Sequence, residues 1–288
     1  MLKTVWLTEN RDITNGCAIL LGGFDGLHVG HRRLFACAKN SGLPVGVMTI
    51  IGGKEGNIFT FEEREVIFQE CGADFVIELP FAEIRDISPT EFLQLLIQEF
   101  HPALFVCGED FQFGAGAKGT PETIKTSTQV RVEVLSLVEM GGEKISSGKI
   151  KDLLGQGEIE SANALLGEEF FLCGRVVKDR QVGTKIGFPT ANIPYPPMKF
   201  PLLKGVYETK TTVNGKEYKG ITNYGARPTF DNDKVITETY LDGFSGDLYG
   251  RELQVKFIRY LRGVQKFDGV EGLVKQLEED IRRVRNND

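Results

Sequence analysis

The chain has 288 residues, of which 41% are hydrophobic and 26% charged, and its formal net charge is −6. This length suffices for one large or two ordinary globular domains, and the acidity argues against a nucleic-acid-binding protein, which needs a basic face. The first residues lack the apolar core of a signal peptide, and no apolar run approaches the roughly 20 residues that span a bilayer. We therefore expect a cytoplasmic protein that acts on small molecules and has no nucleic-acid or membrane partner.

Short apolar runs in the first half of the chain predict strands that are buried on both faces of a sheet. These runs cover residues 17–21, 45–51, 74–79 and 103–107. Helical patterns lie between them, and one begins with Ser88 as its cap and Pro89 as its first residue. Strands that alternate with helices indicate a parallel sheet.

After about residue 168 the pattern becomes typical of antiparallel strands. Asn214 and Gly215 lie between two strand-like runs, which is a strong hairpin signal. The tail from Asp268 has apolar residues on one helical face, and Asp268 and Glu271 are spaced like a capping box. The second half therefore predicts an antiparallel β-structure with a packed C-terminal helix.

The stretch "LLGGFDGLHVGHRRLF", residues 20–35, holds His28 and His31 at the start of the first predicted helix. This turn follows a buried strand, where open parallel sheets bind ligands, and a helix N-terminus favours phosphate. Both histidines could donate hydrogen bonds to phosphate oxygens, and Gly30 leaves room for a nucleotide. Such donors stabilise the charge that develops on a phosphorus atom under attack, so the stretch favours nucleotidyl transfer.

Other interpretations of these patterns are weaker. The two histidines could be polar residues at a helix start without a ligand. A zinc pair is less favoured still, because the third histidine, His101, lies elsewhere and no glutamate stands in the metalloprotease arrangement. The glycines of "GAGAKG", residues 114–119, match Gly-x-Gly-x-x-Gly but do not open a helix directly after a strand, so we interpret them as a loop.

The segment "GGFDGLHVGH", residues 22–31, resembles the Gly-x-Phe-Asp-Gly-x-His-x-Gly-His signature of the bacterial bifunctional riboflavin kinase/FMN adenylyltransferase (FAD synthetase) family. The resemblance continues through eight ordered segments: "CGEDFQFG", "KISSGKIKDLL", "IESANALLG", "GFPTANI", "KGVYE", "GITNYGARPTF", "SGDLYG" and "LRGVQKFDGVEGL". It implies a doubly wound nucleotidyltransferase domain over residues 1–166, then a small antiparallel β-barrel kinase domain with a C-terminal helix over residues 167–288.

The resemblance also implies an enzyme with two activities and assigns residues to each. The activities are ATP-dependent phosphorylation of riboflavin to FMN and, more weakly, adenylylation of FMN to FAD. In the first domain, His28 and His31 are implied as catalytic. The implied nucleotide-binding residues there are Gly22, Phe24, Asp25, Gly30, Gly108, Asp110, Ser146, Ser147 and Lys151.

In the kinase domain, the resemblance implies that Glu238 is the base that takes the proton of the riboflavin 5′-hydroxyl. Thr190 and Asn192 would hold Mg²⁺ and the ATP phosphates. The other implied nucleotide-binding residues are Gly183, Gly187 and Pro189, and the implied flavin-binding residues are Asn223, Arg227 and Arg262.

The chain departs from the family pattern at several places. Gly148 and Lys151 replace a threonine and an arginine of the phosphate-binding motif, and residues 48–59 lack the usual Phe-x-Pro-His-Pro segment. Lysine keeps the charge but loses the bidentate fork, so we expect weakened FAD formation. In the kinase loop, Asp179 and Thr184 replace a glycine and an arginine.

These departures leave other functions open. The chain could be a riboflavin kinase with a vestigial or regulatory nucleotidyltransferase domain, or a flavin-binding protein without turnover. A nucleotidyltransferase that acts on another small substrate is supported only by His28 and His31.

Overall fold

The computed structural model describes residues 3–7, 13, 16–52, 56–178, 187–226 and 235–286. The chain divides into two compact units, Met1–Ser147 and Gly148–Asp288. The boundary expected from the sequence, between Leu166 and Gly167, lies further along the chain and stays a prediction. Within the described ranges, no helix has both the length and the apolarity needed to cross a bilayer.

The first unit is an α/β structure around a six-stranded sheet. Its strands are β1 (Lys3–Trp6), β2 (Ala18–Leu21), β3 (Val45–Ile51), β4 (Phe75–Pro80), β5 (Leu104–Gly108) and β6 (Arg131–Leu135), followed by the small hairpin β7 (Glu139–Met140) and β8 (Glu143–Lys144). Its helices are α1 (Val29–Lys39), α2 (Phe61–Glu70), α3 (Phe81–Ile84), α4 (Pro89–Phe100) and α5 (Pro121–Ser127).

The sheet has the order β1-β4-β3-β2-β5-β6. Strands β2 to β6 run parallel, and β1 pairs antiparallel with β4 at the edge. The four strands predicted from apolar runs are confirmed, and α4 begins as predicted, with Ser88 in a capping box and Pro89 in its first turn. The strand order reverses between β2 and β5, and such a reversal opens a crevice at the carboxyl ends of the strands.

The second unit contains a six-stranded antiparallel sheet that nearly closes into a barrel. Its strands are β9 (Phe171–Arg175), β10 (Thr190–Pro194), β11 (Gly205–Val213), β12 (Lys216–Ala226), β13 (Val235–Leu241) and β14 (Glu252–Arg262), in the order β10-β13-β12-β11-β14-β9. A bridge between Val177 and Asn192 joins the two edges of the sheet. The predicted hairpin is confirmed, since Asn214 and Gly215 both have positive φ between β11 and β12, as a tight hairpin turn requires.

The interior of this barrel contains hydroxyl groups as well as apolar side chains. The hydroxyl oxygen of Thr222 lies 2.9 Å from that of Thr209 and 2.8 Å from that of Thr239, and all three residues are buried. Because successive side chains of a strand point to opposite faces, Glu238 and Asn223 lie on the outer face. We call Thr209, Thr222 and Thr239 the threonine ladder.

In the described part of the second unit the helices are α6 (Ser147–Gln156, beginning at the boundary), α7 (Ile159–Leu166) and α8 (Val270–Arg285). Helix α8 covers the outer face of the barrel, where Ile281 and Val284 pack with Val206 and Ile221. The prediction that Asp268 caps this helix is wrong. The cap residue is Gly269, which has no side chain to cap with, and the first helical residue is Val270.

Candidate functional site

The first candidate site is built on the loop between β2 and α1. Phe24 has a φ of +46° and is fully buried, with its ring centroid 5.8 Å from that of Phe35 and 6.3 Å from that of Phe68. Its side chain therefore anchors the loop inside the protein, which leaves only its backbone for a nucleotide. Gly22 is required beside it, because a Cβ there would lie 2.9 Å from the Phe24 ring.

Asp25 ties this loop to two other segments of the first unit. Its Oδ1 accepts a hydrogen bond from the Ile58 amide at 2.7 Å, and its carbonyl oxygen accepts one from the Ser147 hydroxyl at 2.5 Å. The implied residue Ser147 is thus brought to the loop, and Ser146 precedes it. Lys151 lies in α6, in the second compact unit.

His28 and His31 form a stacked pair at the start of α1. Their ring centroids are 3.7 Å apart with an interplanar angle of 16°, and His28 Nδ1 accepts a hydrogen bond from the His31 amide at 3.4 Å. His28 is therefore the cap of α1, and a neutral ring in this arrangement holds its proton on Nε2. A Cβ on Gly30 would lie 3.1 Å from His28 Nδ1, so a larger residue would crowd the ring in this position.

Both histidine rings are held in the neutral state. Burial lowers the pKa of His28 to about 4, against smaller opposing effects of Asp110 and Asp25, and burial lowers the pKa of His31 well below its usual value. A neutral imidazole at a helix N-terminus can donate one hydrogen bond to a phosphate oxygen without adding a charge. This supports the role expected of the pair in phosphate binding.

The end of β5 contributes the remaining groups of this site. Asp110 lies two residues after Gly108. Its Oδ2 forms an ion pair with Lys144 Nζ at 2.6 Å. The charges of Asp110 and Lys144 both act on the pKa of His28, so these groups lie near the histidine pair. The structure thus gathers the implied residues from β2 and β5 at the switch point of the sheet.

The second candidate site is a row of side chains across five neighbouring strands of the barrel. The register places them directly opposite one another, in the order Asn192, Glu238, Asn223, Val206 and Arg262. Directly opposite residues of antiparallel strands share a face of the sheet. We call this set the catalytic row, after the role that the resemblance implies for Glu238. It brings together four of the residues that the resemblance implied.

The catalytic row borders a cavity of about 240 Å³ on the outer face of the barrel. Its lining combines many apolar and aromatic side chains with a few polar groups, as small-molecule sites do. The polar lining residues are Thr190, Asn223, Glu238, Arg262 and Gln265, and the apolar or aromatic ones are Phe188, Val206, Ile221, Tyr240, Val264, Phe267, Leu273 and Leu277. Gly187 and Pro189 precede β10, whereas Gly183, Arg227 and the loop residues Asp179 and Thr184 lie outside the described residues.

An ion pair that the sequence does not reveal holds Arg262. Its Nε lies 3.0 and 3.1 Å from the two carboxylate oxygens of Asp280, and its Nη2 lies 2.7 Å from Oδ2. Asp280 is 0% exposed and also accepts a hydrogen bond from Gln276, while Arg262 Nη1 donates to the Gly263 carbonyl. All three guanidinium nitrogens thus have protein acceptors. Arg262 therefore ties β14 to α8 at the edge of the cavity.

The fold and the two sites together define a class of protein. A parallel α/β unit with neutral histidines at its switch point, and a barrel with a carboxylate beside a cavity, are the parts of a two-site, nucleotide-dependent transferase. The family comparisons agree with this division. The FAD synthetase family model matches residues 10–149, and the riboflavin kinase family model matches residues 166–287.

The whole chain is also similar to curated bifunctional riboflavin kinase/FMN adenylyltransferases. It is 31% identical to that of Bacillus subtilis (strain 168), over 97% of this chain and 96% of the relative. It is 32% identical to that of Escherichia coli (strain K12), over 92% of this chain and 90% of the relative. The chain belongs to the bifunctional riboflavin kinase/FMN adenylyltransferase family.

A solved structure shows the same fold over almost the whole length. The crystal structure described as a macrolide-efflux protein from Streptococcus pneumoniae has a TM-score of 0.85, 29% sequence identity and 95% coverage of both chains. That description applies to the other protein, and the activity that we infer for this chain rests on the family models and the site geometry.

Proposed function

We propose that this chain acts in the cytoplasm on small-molecule substrates and catalyses two consecutive reactions of flavin cofactor biosynthesis. The first transfers the γ-phosphoryl group of ATP to riboflavin and yields FMN and ADP. The second joins the AMP part of ATP to FMN and yields FAD and pyrophosphate. The observation that carries the proposal is the catalytic row, which places Glu238 between two amide side chains at the edge of an apolar cavity.

In the kinase site, the apolar wall of the cavity would hold the flat ring system of riboflavin. Glu238 would accept the proton of the 5′-hydroxyl as the oxygen attacks the γ-phosphorus, which is general-base catalysis. The amide of Asn223 stands opposite Glu238 on β12 and would orient the ribityl chain. Covering the cavity with α8 would exclude water from the reaction, which favours transfer to the flavin over hydrolysis.

The residues on β10 fit a magnesium site. Thr190 and Asn192 are two residues apart on one strand and therefore share a face, and they offer a hydroxyl and an amide oxygen. Mg²⁺ prefers oxygen ligands and few protein groups beside substrate phosphates. Bound there with ATP, the ion would neutralise charge that develops on the transferred phosphoryl group.

In the adenylyltransferase site, the phosphate oxygen of FMN would attack the α-phosphorus of ATP, and pyrophosphate would leave. His28 Nε2–H, His31 and the amides at the start of α1 would donate hydrogen bonds to the phosphates as negative charge develops. Gly148 and Lys151 remove a hydroxyl and an arginine fork from the family's phosphate-binding motif. We therefore propose that FAD formation is the slower of the two reactions.

The test is to incubate the purified protein with riboflavin, ATP and magnesium chloride and to separate the flavins by chromatography. We expect FMN to appear first and FAD later. If riboflavin is converted to FMN and no FAD appears, even when FMN is supplied as the substrate, the chain would be a kinase with a vestigial first unit. No conversion of riboflavin would contradict the proposal.

A further inference from the structure

One buried charge in the first unit takes no part in the site as described so far. Arg64 lies on α2 and is 4% exposed. Its Nη1 donates a hydrogen bond to the Thr49 hydroxyl at 2.8 Å, whereas its Nε is buried without an acceptor among the described residues. A buried guanidinium with an unused donor needs an explanation.

No carboxylate in the described part of the chain forms an ion pair with Arg64. Its neighbour Glu63 uses Oε2 to accept the Thr60 amide at 2.8 Å, and Asp25 accepts the Ile58 amide. Burial lowers the pKa of Arg64, while the charges of Asp25 and Glu62 raise it from a distance. Arginine stays protonated even so, and an uncompensated buried charge is unfavourable until an anion reaches it.

The position of Arg64 indicates which anion that is. Thr49 lies near the carboxyl end of β3, which neighbours β2 in the sheet. The charge of Asp25 acts on both Arg64 and His28. Arg64 therefore borders the same crevice as the histidine pair. It does so from β3, on one side of β2, whereas Asp110 borders the crevice from β5, on the other side of β2.

We propose that Arg64 is an anion-binding residue that takes a phosphate group of a substrate, and we assign to it the 5′-phosphate of FMN. The histidines at β2 and the start of α1 suit the phosphates of ATP, so the acceptor phosphate must approach from a neighbouring strand. A guanidinium presents paired N–H donors that match two phosphate oxygens. The assignment of FMN rests on the proposed adenylyltransferase function, while the anion site itself does not.

The anion site can be tested without turnover. Trp6, the single tryptophan of the sequence, packs on Phe75 with ring centroids 5.0 Å apart, so its fluorescence follows unfolding of the first unit. Thermal unfolding would be measured in inorganic phosphate and in sodium chloride of equal ionic strength. The variants are Arg64→Gln and, as a matched control, Arg131→Gln, which removes an exposed arginine paired with Glu133.

We expect phosphate to raise the midpoint of unfolding of the unaltered protein and of Arg131→Gln, and to have little effect on Arg64→Gln. Without phosphate, Arg64→Gln should be at least as stable as the unaltered protein, because it removes an unpaired buried charge. An undiminished phosphate effect in Arg64→Gln would overturn the anion site. So would a purely structural result, in which this variant is destabilised equally in both buffers.

The substrate is decided by steady-state kinetics of FAD formation from FMN. Loss of a charge-assisted contact should raise KM for FMN about 10- to 100-fold in Arg64→Gln, with KM for ATP and the riboflavin kinase rate unchanged. A rise in KM for ATP alone would overturn the assignment to FMN. Absence of FAD formation by the unaltered protein would be a failure of the proposed function, and the phosphate measurement would still decide the anion site.

Discussion

The two candidate sites are constructed in opposite ways. The first has its proposed phosphate donors in one continuous loop, residues 22–31, which holds the two histidines and the start of α1. The second takes one residue from each of five strands, and adjacent members can be more than 30 positions apart in the sequence. A loop site depends on local geometry, whereas a row across a barrel depends on the register of every strand pair. The donors of the first site are therefore less dependent on strand register than the members of the second.

The largest effect is expected from replacing Glu238, the proposed base of the catalytic row. Glu238→Gln should lower kcat for FMN formation about 10²- to 10⁴-fold, while FAD formation from supplied FMN is unchanged. The measurement is the initial rate of each reaction on the same preparation. Glu217→Gln is the matched control, since Glu217 lies on β12 in an exposed pair with Lys210. An unchanged kinase rate in Glu238→Gln would contradict its role as the base.

The second prediction concerns the first site, where the phosphate-binding motif of the family can be restored. Gly148→Thr combined with Lys151→Arg returns a hydroxyl and a bidentate fork, and each such donor can be worth about 10²-fold in turnover. We expect FAD formation to rise and FMN formation to stay constant in the double variant. If FAD formation does not rise, the missing Phe-x-Pro-His-Pro segment is the more important departure. If the unaltered protein already makes FAD as fast as FMN, our interpretation of the two substitutions is wrong.

The ion pair behind the catalytic row gives a third test. Asp280→Asn leaves the Arg262 guanidinium buried without its counter-charge, and breaking such a pair costs about 3–5 kcal/mol. We expect a lower midpoint of urea unfolding and a higher KM for riboflavin, because α8 and Arg262 lose their position against the cavity. Glu279→Gln, at the next residue, removes only an exposed pair with Arg283 and should change neither quantity. Equal behaviour of the two variants would show that Asp280 is not needed.

The independence of the barrel can be tested with two fragments. Residues 167–288 contain every described kinase residue, and we expect this fragment to fold and to phosphorylate riboflavin. Residues 148–288 should be more stable by at least about 2 kcal/mol, because Asn163 of α7 bonds the Phe257 carbonyl and the Phe170 amide. Urea unfolding and kinase rates compare the two. A soluble but inactive 167–288 would contradict the predicted boundary.

The last expected effect is a pH dependence of stability that is confined to the first unit. Because the pKa of His28 is about 4 when folded and near its usual value of 6.5 when unfolded, the unfolded chain takes up a proton first. Stability is then complete above pH 6.5 and falls by about 1.4 kcal/mol per pH unit toward pH 4.

The variant His28→Asn keeps a capping side chain and removes this proton. Its stability, followed by Trp6 fluorescence, should therefore fall less steeply between pH 6.5 and 4 than that of the unaltered protein. Identical slopes would show that His28 does not contribute.

The contrast between the sites also explains what the sequence could predict. The four buried strands, to within one residue at each end, the cap at Ser88 and the placement of His28 and His31 at a helix start follow from neighbouring residues, and the structure has them. Glu238 carries no local signal, and its assignment came only from the resemblance. Asp280 looks like any charged residue of an amphipathic helix, because its partner lies on another element.

Three other features depend on context that no short pattern contains. Strand β1 is too short to be distinguished by periodicity, and it exists through its pairing with β4. The spacing of Asp268 and Glu271 suggested a cap, but the backbone at Gly269 enters the helix one residue later. Arg64 could not be predicted as buried either, since arginine on a helix is usually exposed.

The threonine ladder has a consequence for how the barrel chooses its pairing. Strands joined only by apolar contacts can slide by two residues and still bury hydrocarbon, since the inward set merely changes neighbours. Hydroxyl groups at Thr209, Thr222 and Thr239 meet in only one alignment, and any slide leaves buried hydroxyls unpaired. The threonine ladder thereby fixes the register of three strands. Through that register it also determines which residue lies beside Glu238 on the outer face.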